Sequence, residues 1–414
     1  MRSQVLPWGL KGSGFFLMVF LLSFSIFFAV EKAYKILPVI YFIAAVFYVL
    51  KEKPFLYLKI ILFYFFAVSF VIFGDIFNIF FGNSDFSGIE QVARNLILVF
   101  PLVFLLNNEK ISERSIVFSV FLMLCVTAIA SILQFYSVYA QESSHFNGQR
   151  IGLWWNPVPF ANSIVIFLGL LLGAALIAPK SYWNNIIVGL ACLIMFVVIY
   201  LSGTRSALLS YFVVVFIYLL AIALDDKRVL FRSWMAVALF ALVIATAFLF
   251  GDRVALAVEQ LYRHFDEGPE YTSVSIRLSS WYYSWLIFLD NPLFGYGTRG
   301  ASAVGKSFVD AGVVPEYVVN YHAHSDIFDA MKRNGLLGIF GLLWVYLSPF
   351  IMMWYFKISL RDMAPVLLVI VAFFISGLTE INIRHNVSAN SFYMAYMLAL
   401  AVVFRPKVQG GKVL

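Results

Sequence analysis

Apolar residues along this chain come in long unbroken runs separated mostly by short polar turns. The pattern is neither the strict alternation of a half-buried strand nor the single stripe of a surface helix. Runs lie near 15–30, 36–50, 58–75, 91–106, 115–135, 160–178, 184–201, 206–224, 233–250, 335–356, 363–378 and 389–404. Each is long enough to cross the hydrocarbon as a helix, and a helix satisfies its own backbone groups in lipid. The pattern therefore predicts an all-α polytopic membrane protein of about twelve transmembrane helices. One interval breaks it. Between Phe250 and Gly335 the chain is largely polar, which divides it into helices 1 to 9 over 1–250, an extramembrane loop over 251–334, and helices 10 to 12 with a tail over 335–414. Inside the loop, Ser280 to Leu289 (S-W-Y-Y-S-W-L-I-F-L) is aromatic and too short to span, so an interfacial helix ended by Asn291-Pro292 is expected.

Composition agrees with this reading and narrows it. With 62% hydrophobic and 12% charged residues, a soluble globular protein is excluded, and the continuous runs exclude the alternating segments of a membrane barrel. The two cysteines, Cys125 and Cys192, sit inside apolar runs as small buried hydrophobes. The first run follows Arg2 and Lys11 as a signal peptide would, but no small-residue cleavage site follows it, so it is read as retained. The net charge of +7 is scattered through short loops and forms no aromatic-lined basic stripe, which argues against nucleic acid. It serves topology instead. A cytoplasmic N-terminus puts Lys11, Lys51, Lys53, Lys110, Arg114, Lys180, Lys227, Arg228, Lys357, Arg361 and Arg405 inside, with both chain ends, and leaves the long loop outside.

The polar residues that remain fall on the outer side. Arg150 lies in Q-R-I-G-L-W-W-N-P, Arg205 in S-G-T-R-S, and Glu380 and Arg384 in T-E-I-N-I-R-H-N, while the long loop adds Arg277, Trp281, His322 and His324. For Arg205, held in a tight turn between two spans, snorkelling to lipid phosphates and a fixed bidentate clamp on a bound phosphate are both open. Arg277 precedes Trp281 by four residues, so on a helix the two share a face, either as a structural cation and ring pair or beside a phosphate. His322 and His324, two apart, lie about 200° from each other on a helix and are not expected to share a metal. An imidazole is the natural group to take a proton from a sugar hydroxyl, and Asp326 and Asp329 are near enough to orient it or are solvated helix-start residues. Asp75 and Arg94 are explained by the edge of the membrane. The acids of the loop lack carboxylate-site spacing, so no metal is expected. Glycine phosphate loops, nucleophile elbows and zinc-protease motifs are absent.

Four ordered blocks carry a resemblance. H-S-D-I-F-D-A-M-K-R-N-G-L-L-G, from His324 to Gly338, resembles the H-N-x-x-hydrophobic…G-hydrophobic-hydrophobic-G signature of the O-antigen ligase and polymerase superfamily. R-I-G-L-W-W-N-P, S-G-T-R-S, and R-L-S-S-W followed by N-P-L-F-G-Y-G resemble its other landmarks in the same order. Ser325 stands where that family usually has Asn, which bears on an accessory hydrogen bond.

The resemblance implies a fold like the C-type membrane glycosyltransferases, placed in the bacterial inner membrane with the long loop in the periplasm. It implies transfer of a glycan from undecaprenyl pyrophosphate to the lipid A core, by direct inverting displacement without metal or other cofactor. Arg205 and Arg277 would then bind the pyrophosphate and His324 would be the base, with Arg150, His322, Trp281, Asp326, Glu380 and Arg384 accessory. A polymerase that joins carrier-linked repeat units fits the same landmarks. A lipid-linked sugar transporter would instead show polar residues at the midplane and on both faces.

Overall fold

The computed structural model of the chain describes residues 58–84, 112–141, 152–153, 156–225, 251, 254–297, 299–319 and 321–409, and the regular elements among them are all helices. In chain order these are α1 (Leu58–Phe80), α2 (Glu113–Gln141), α3 (Pro157–Ile177), α4 (Tyr182–Ser202), α5 (Arg205–Asp225), α6 (254–266), α7 (Ser273–Asp290), α8 (Arg299–Asp310), α9 (Glu316–Val319), α10 (Asp326–Phe356), α11 (Ala364–Gly377) and α12 (Asn386–Gln409). Six helices among the described residues are long and apolar enough to cross a membrane: Glu113–Ser137, Pro157–Ile177, Tyr182–Ser202, Arg205–Leu224, Asp326–Phe356 and Asn386–Phe404. The chain is a polytopic helical membrane protein. The runs expected near 15–30, 36–50, 91–106 and 233–250 lie outside the described residues.

α3 is the axis of the bundle. It is buried from Pro159 to Ala174 and packs against α2, α4, α5, α11 and α12. Its start is fixed locally, since the Asn156 side chain accepts from Val158 N and Pro157 fills the first turn. Backbones approach closely along one face of this helix. A Cβ on Gly169 would lie 2.8 Å from Leu368 O, and one on Gly173 would lie 2.3 Å from Pro365 Cα. This small-xxx-small pair lets α11 lie directly against α3, the packing mode open to helices in lipid. Facing outward, α4, α5 and α10 present Leu193, Leu209, Phe216, Leu347 and Phe350 as exposed apolar surface, as lipid-facing helices do.

The bundle has two chemically different ends. One carries Lys180, Lys357 and Arg361, and there Arg361 Nη2 donates to Leu176 O at 3.2 Å. At the other end α3 starts, α4 turns into α5 through Gly203 in the left-handed conformation, α10 starts, and α11 turns into α12. The residues singled out in Arg205, His324, Glu380 and Arg384 all lie at this second end.

Over this end folds the long polar interval. α7 runs from an N-cap at Thr272 to Asn291, so the helix expected over 280–289 is present and starts earlier. Tyr283, Ile287, Ala301, Val314 and Val318 form a small core of their own, with Tyr296, Val304 and Phe308 against it. The interval is thus a packed helical cap.

Its last part departs from expectation. The span expected from Gly335 is already helical from Asp326, and Gly335 is a break inside α10 with φ 58° and ψ −139°. Two carbonyls and two amides lose their helical partners there and exchange them with the loop Asn291–Gly297. Tyr296 N donates to Lys332 O at 3.0 Å and Gly297 N to Arg333 O at 2.9 Å, while Leu336 N donates to Pro292 O at 2.7 Å. Asn78 of α1 adds its amide, donating to Phe294 O and Arg333 O at 2.9 Å each. Buried backbone groups need partners, so the N-P-L-F-G-Y-G block and the glycine break require one another.

Candidate functional site

The second end of the bundle gathers its polar groups around Glu380, in the turn between α11 and α12. Oε1 of Glu380 accepts from Arg277 Nη2 at 2.8 Å, and Oε2 faces His324 Nδ1 at 3.5 Å. Arg277 comes from α7 of the cap, His324 from the segment before α10, and Glu380 from the bundle. All three are partly open: the Arg277, His324 and Glu380 side chains are 27%, 28% and 15% exposed. Arg277 is held further by Ser273, whose Oγ accepts from Nη1 at 2.6 Å, and by Thr379 O, 3.4 Å from Nε. His324 has φ 48°, a left-handed conformation uncommon for a non-glycine residue and one that turns the chain into the helix.

Burial raises the pKa of the Glu380 carboxyl, yet His324 and Arg277 together outweigh burial and keep it below its ordinary value. Glu380 is therefore an anion between a cation and an imidazole. With Nδ1 turned to the Glu380 carboxylate, Nε2 is the ring nitrogen on the far side of the imidazole.

Asp326, expected as the orienter of His324, is used elsewhere. Its Oδ1 accepts from Asn382 N at 2.8 Å and from Ile383 N at 2.9 Å, fully buried under the α11–α12 turn. The carboxylate that faces His324 is Glu380. The reason is register, since the first turn of α10 directs Asp326 back into the bundle, where two backbone amides await an acceptor.

Arg205 stands at the first position of α5 and is exposed. Its neighbour Ser206 donates to Asn162 Oδ1 at 3.2 Å, and Asn162 donates to Asn382 Oδ1 at 2.9 Å. Through Asn382, which also donates to Ser376 Oγ at 2.7 Å, the Arg205 turn is linked to the turn that carries Glu380. The structure thus joins the S-G-T-R-S, T-E-I-N and H-S-D blocks in one hydrogen-bonded chain.

The remaining candidates separate. Arg384 points away from Glu380 into a buried polar cluster, where Nη2 donates to Asn334 Oδ1 at 2.5 Å and Nε lies 3.4 Å from Asp329 Oδ2. Asp75, near the end of α1, is in that cluster, 3.5 Å from Arg384 Nη2. It is 4% exposed and accepts from Asn334 Nδ2 at 2.9 Å. Asp329 also pairs with Arg333 at 3.0 Å. Trp281 stacks on Phe328 with centroids 5.3 Å apart, while Arg277 turns to Glu380, so the expected pairing of these two is replaced by a ring pair and an ion pair. His322 is exposed near the cluster. Arg150 and Arg94 lie outside the described residues. Among the described residues, no group of three His, Cys, Asp or Glu is placed to hold a metal ion.

Sequence reasoning did not single out Asn162, Asn334 or Asn382. A signal existed for each, because an uncompensated amide next to or within an apolar run has to find a partner in lipid.

Residues 190–343 match the family described as O-antigen ligase, a stretch that includes Arg205, Arg277 and His324 and ends before Glu380. An uncharacterized protein of Haemophilus influenzae is 22% identical over 292 residues, covering 69% of this chain and 70% of its own. Three of the ordered blocks, those of Arg205, Arg277 and His324, lie inside that matched stretch, and over it the chain is similar to the O-antigen ligase family.

Proposed function

We propose that the chain is an O-antigen ligase, which transfers the glycan of an undecaprenyl-pyrophosphate carrier to a sugar hydroxyl of the lipid A core. The observation that carries this reading is the Arg277–Glu380–His324 constellation at one end of an apolar bundle. It sets a diphosphate-binding cation beside a proton acceptor, with a second arginine, Arg205, tied to the same turn. The acceptor hydroxyl attacks the anomeric carbon and passes its proton to Nε2 of His324. The anomeric C–O bond breaks, and undecaprenyl pyrophosphate leaves with its negative charge held by Arg277 and Arg205. The carrier already supplies an activated donor, so the reading needs no nucleotide, metal or other cofactor.

The same reading places the protein in the bacterial inner membrane as about twelve spans of the C-type glycosyltransferase kind, with both chain ends in the cytoplasm. The cap over 251–334 then faces the periplasm. Charge supports this orientation, because Lys180, Lys357 and Arg361 lie at the end opposite the site.

Purified protein in detergent, given labelled carrier-linked glycan and core acceptor without a gradient, should form lipopolysaccharide. Lipopolysaccharide from a deletion strain should lack all O-antigen while polymerised carrier-linked glycan accumulates. A single attached repeat unit would identify a polymerase, and accumulation of carrier-linked glycan on the cytoplasmic face would identify a transporter.

A further inference from the structure

The contact between Glu380 and Arg277 raises a competition question. A guanidinium meant to bind a diphosphate already holds an anion, 2.8 Å away and partly exposed. The two Glu380 oxygens are divided, Oε1 to Arg277 and Oε2 toward His324. The other acceptors of Arg277 are neutral: the hydroxyl and carbonyl of Ser273 and the carbonyl of Thr379. Those contacts hold the arginine in place whether or not the carboxylate does.

We propose that Glu380 is an internal stand-in for the donor's diphosphate, occupying Arg277 in the donor-free protein and yielding it when the donor binds, while it continues to face His324. This rests on the assignment of Arg277 to the diphosphate. The exchange removes one anion from the guanidinium as another arrives, so the part-exposed Arg277 keeps a counter-charge throughout. Once Arg277 has turned to the donor, the charge of Glu380 is left for the imidazolium that forms when His324 takes the acceptor's proton. Donor binding thereby readies the base. Glu380 touches neither the reacting carbon nor the leaving group, so it is a positioning residue.

The test uses full-length protein in detergent and farnesyl pyrophosphate as a soluble polyprenyl diphosphate probe. Glu380→Gln keeps shape and hydrogen-bonding atoms but removes the charge. It should bind the probe about tenfold more tightly than wild type, the scale of one charge-assisted hydrogen bond, while kcat for glycan transfer falls by at least tenfold. A merely structural role would weaken binding and turnover together. Unchanged or weaker binding by Glu380→Gln overturns the inference. If this variant does not fold, Glu380→Asp, whose carboxylate is withdrawn by one methylene, carries the same comparison with a several-fold gain in affinity expected. Arg277→Ala separates the two levels. Loss of probe binding there, with no gain in Glu380→Gln, sinks the stand-in alone, whereas undiminished binding in Arg277→Ala sinks the diphosphate assignment and the stand-in with it.

Discussion

Asn162 on α3 donates its side-chain amide to Oδ1 of Asn382, 220 positions away in the turn before α12, at 2.9 Å. Both residues are buried, and each has a further partner: Ser206 for Asn162 and Ser376 for Asn382. This amide pair connects the turn of Arg205 to the turn of Glu380. Replacing Asn162 by Leu leaves Asn382 Oδ1 and the Ser206 hydroxyl without partners, at about 1–3 kcal/mol for each unsatisfied group. The expected outcome is a lower unfolding temperature in detergent and a transfer rate reduced more than the loss of folded protein explains. Transfer that simply tracks the folded fraction would show that the bridge does not position Arg205.

At Arg277, geometry and charge can be separated. The guanidinium spends Nη1 on Ser273, Nε near Thr379 O and Nη2 on Glu380, a spread of directions that an ammonium cannot reproduce. Arg277→Lys should keep the protein folded yet lower kcat/KM for transfer about 100-fold, the scale of losing an oriented electrostatic group. Arg277→Ala should fall further. Near-wild-type activity in Arg277→Lys would mean that positive charge alone suffices at this position.

These residues also show what the sequence made legible. Span positions were readable because an apolar run in lipid has few alternatives to a helix: α3, α4, α5 and α11 begin and end close to the hydrophobic edges, while α2 and α12 run past theirs at the C-terminal end. The block order brought Arg205, Arg277, His324 and Glu380 into view. Partner choice did not follow from it, because Asp326 and Glu380 are equally plausible carboxylates for His324 until the left-handed turn at His324 and the first turn of α10 set their directions. The same limit applied to α10. Its polar first turns read as loop in a hydrophobicity profile, since the buried groups Asp326, Asp329 and Asn334 meet partners from distant segments, at Asn382, Arg384 and Asp75, rather than apolar neighbours.

His385 gives a prediction about pH. Burial, helped by the neighbouring His322, pushes its imidazole down from an ordinary 6.5 to about 4, against the opposing pull of Glu380. The folded protein thus holds His385 neutral where the unfolded chain would protonate it. Its contribution to stability is full above pH 6.5 and is lost as pH falls toward 4, amounting to about 3 kcal/mol when complete. Glu380, with its pKa also lowered, adds a loss of the same sign at more acid pH. The unfolding temperature in detergent should drop between pH 6.5 and 4, and His385→Asn should flatten that drop without removing the part due to Glu380. An unchanged pH profile in His385→Asn would contradict the assignment.

Gly335 is the position where the cap and the bundle depend on one another most directly. Its φ of 58° with ψ of −139° lies in a region open almost only to glycine. A Cβ there would also meet Pro292 O at 2.4 Å and Leu293 C at 2.7 Å. Gly335→Ala therefore has two costs, backbone strain of about 1–3 kcal/mol and displacement of the Asn291–Gly297 loop. If α10 instead straightens, Leu336 N and Leu337 N return to Lys332 O and Arg333 O, and the amides of Tyr296 and Gly297 lose their acceptors. Either way the cap moves relative to the bundle, and α7 carries Arg277 with it away from Glu380 and His324. The expected result is folded, membrane-inserted protein with faster hydrogen exchange at 291–297 and at least tenfold lower transfer. Normal transfer and unchanged exchange in Gly335→Ala would show that the break in α10 does not hold the site together.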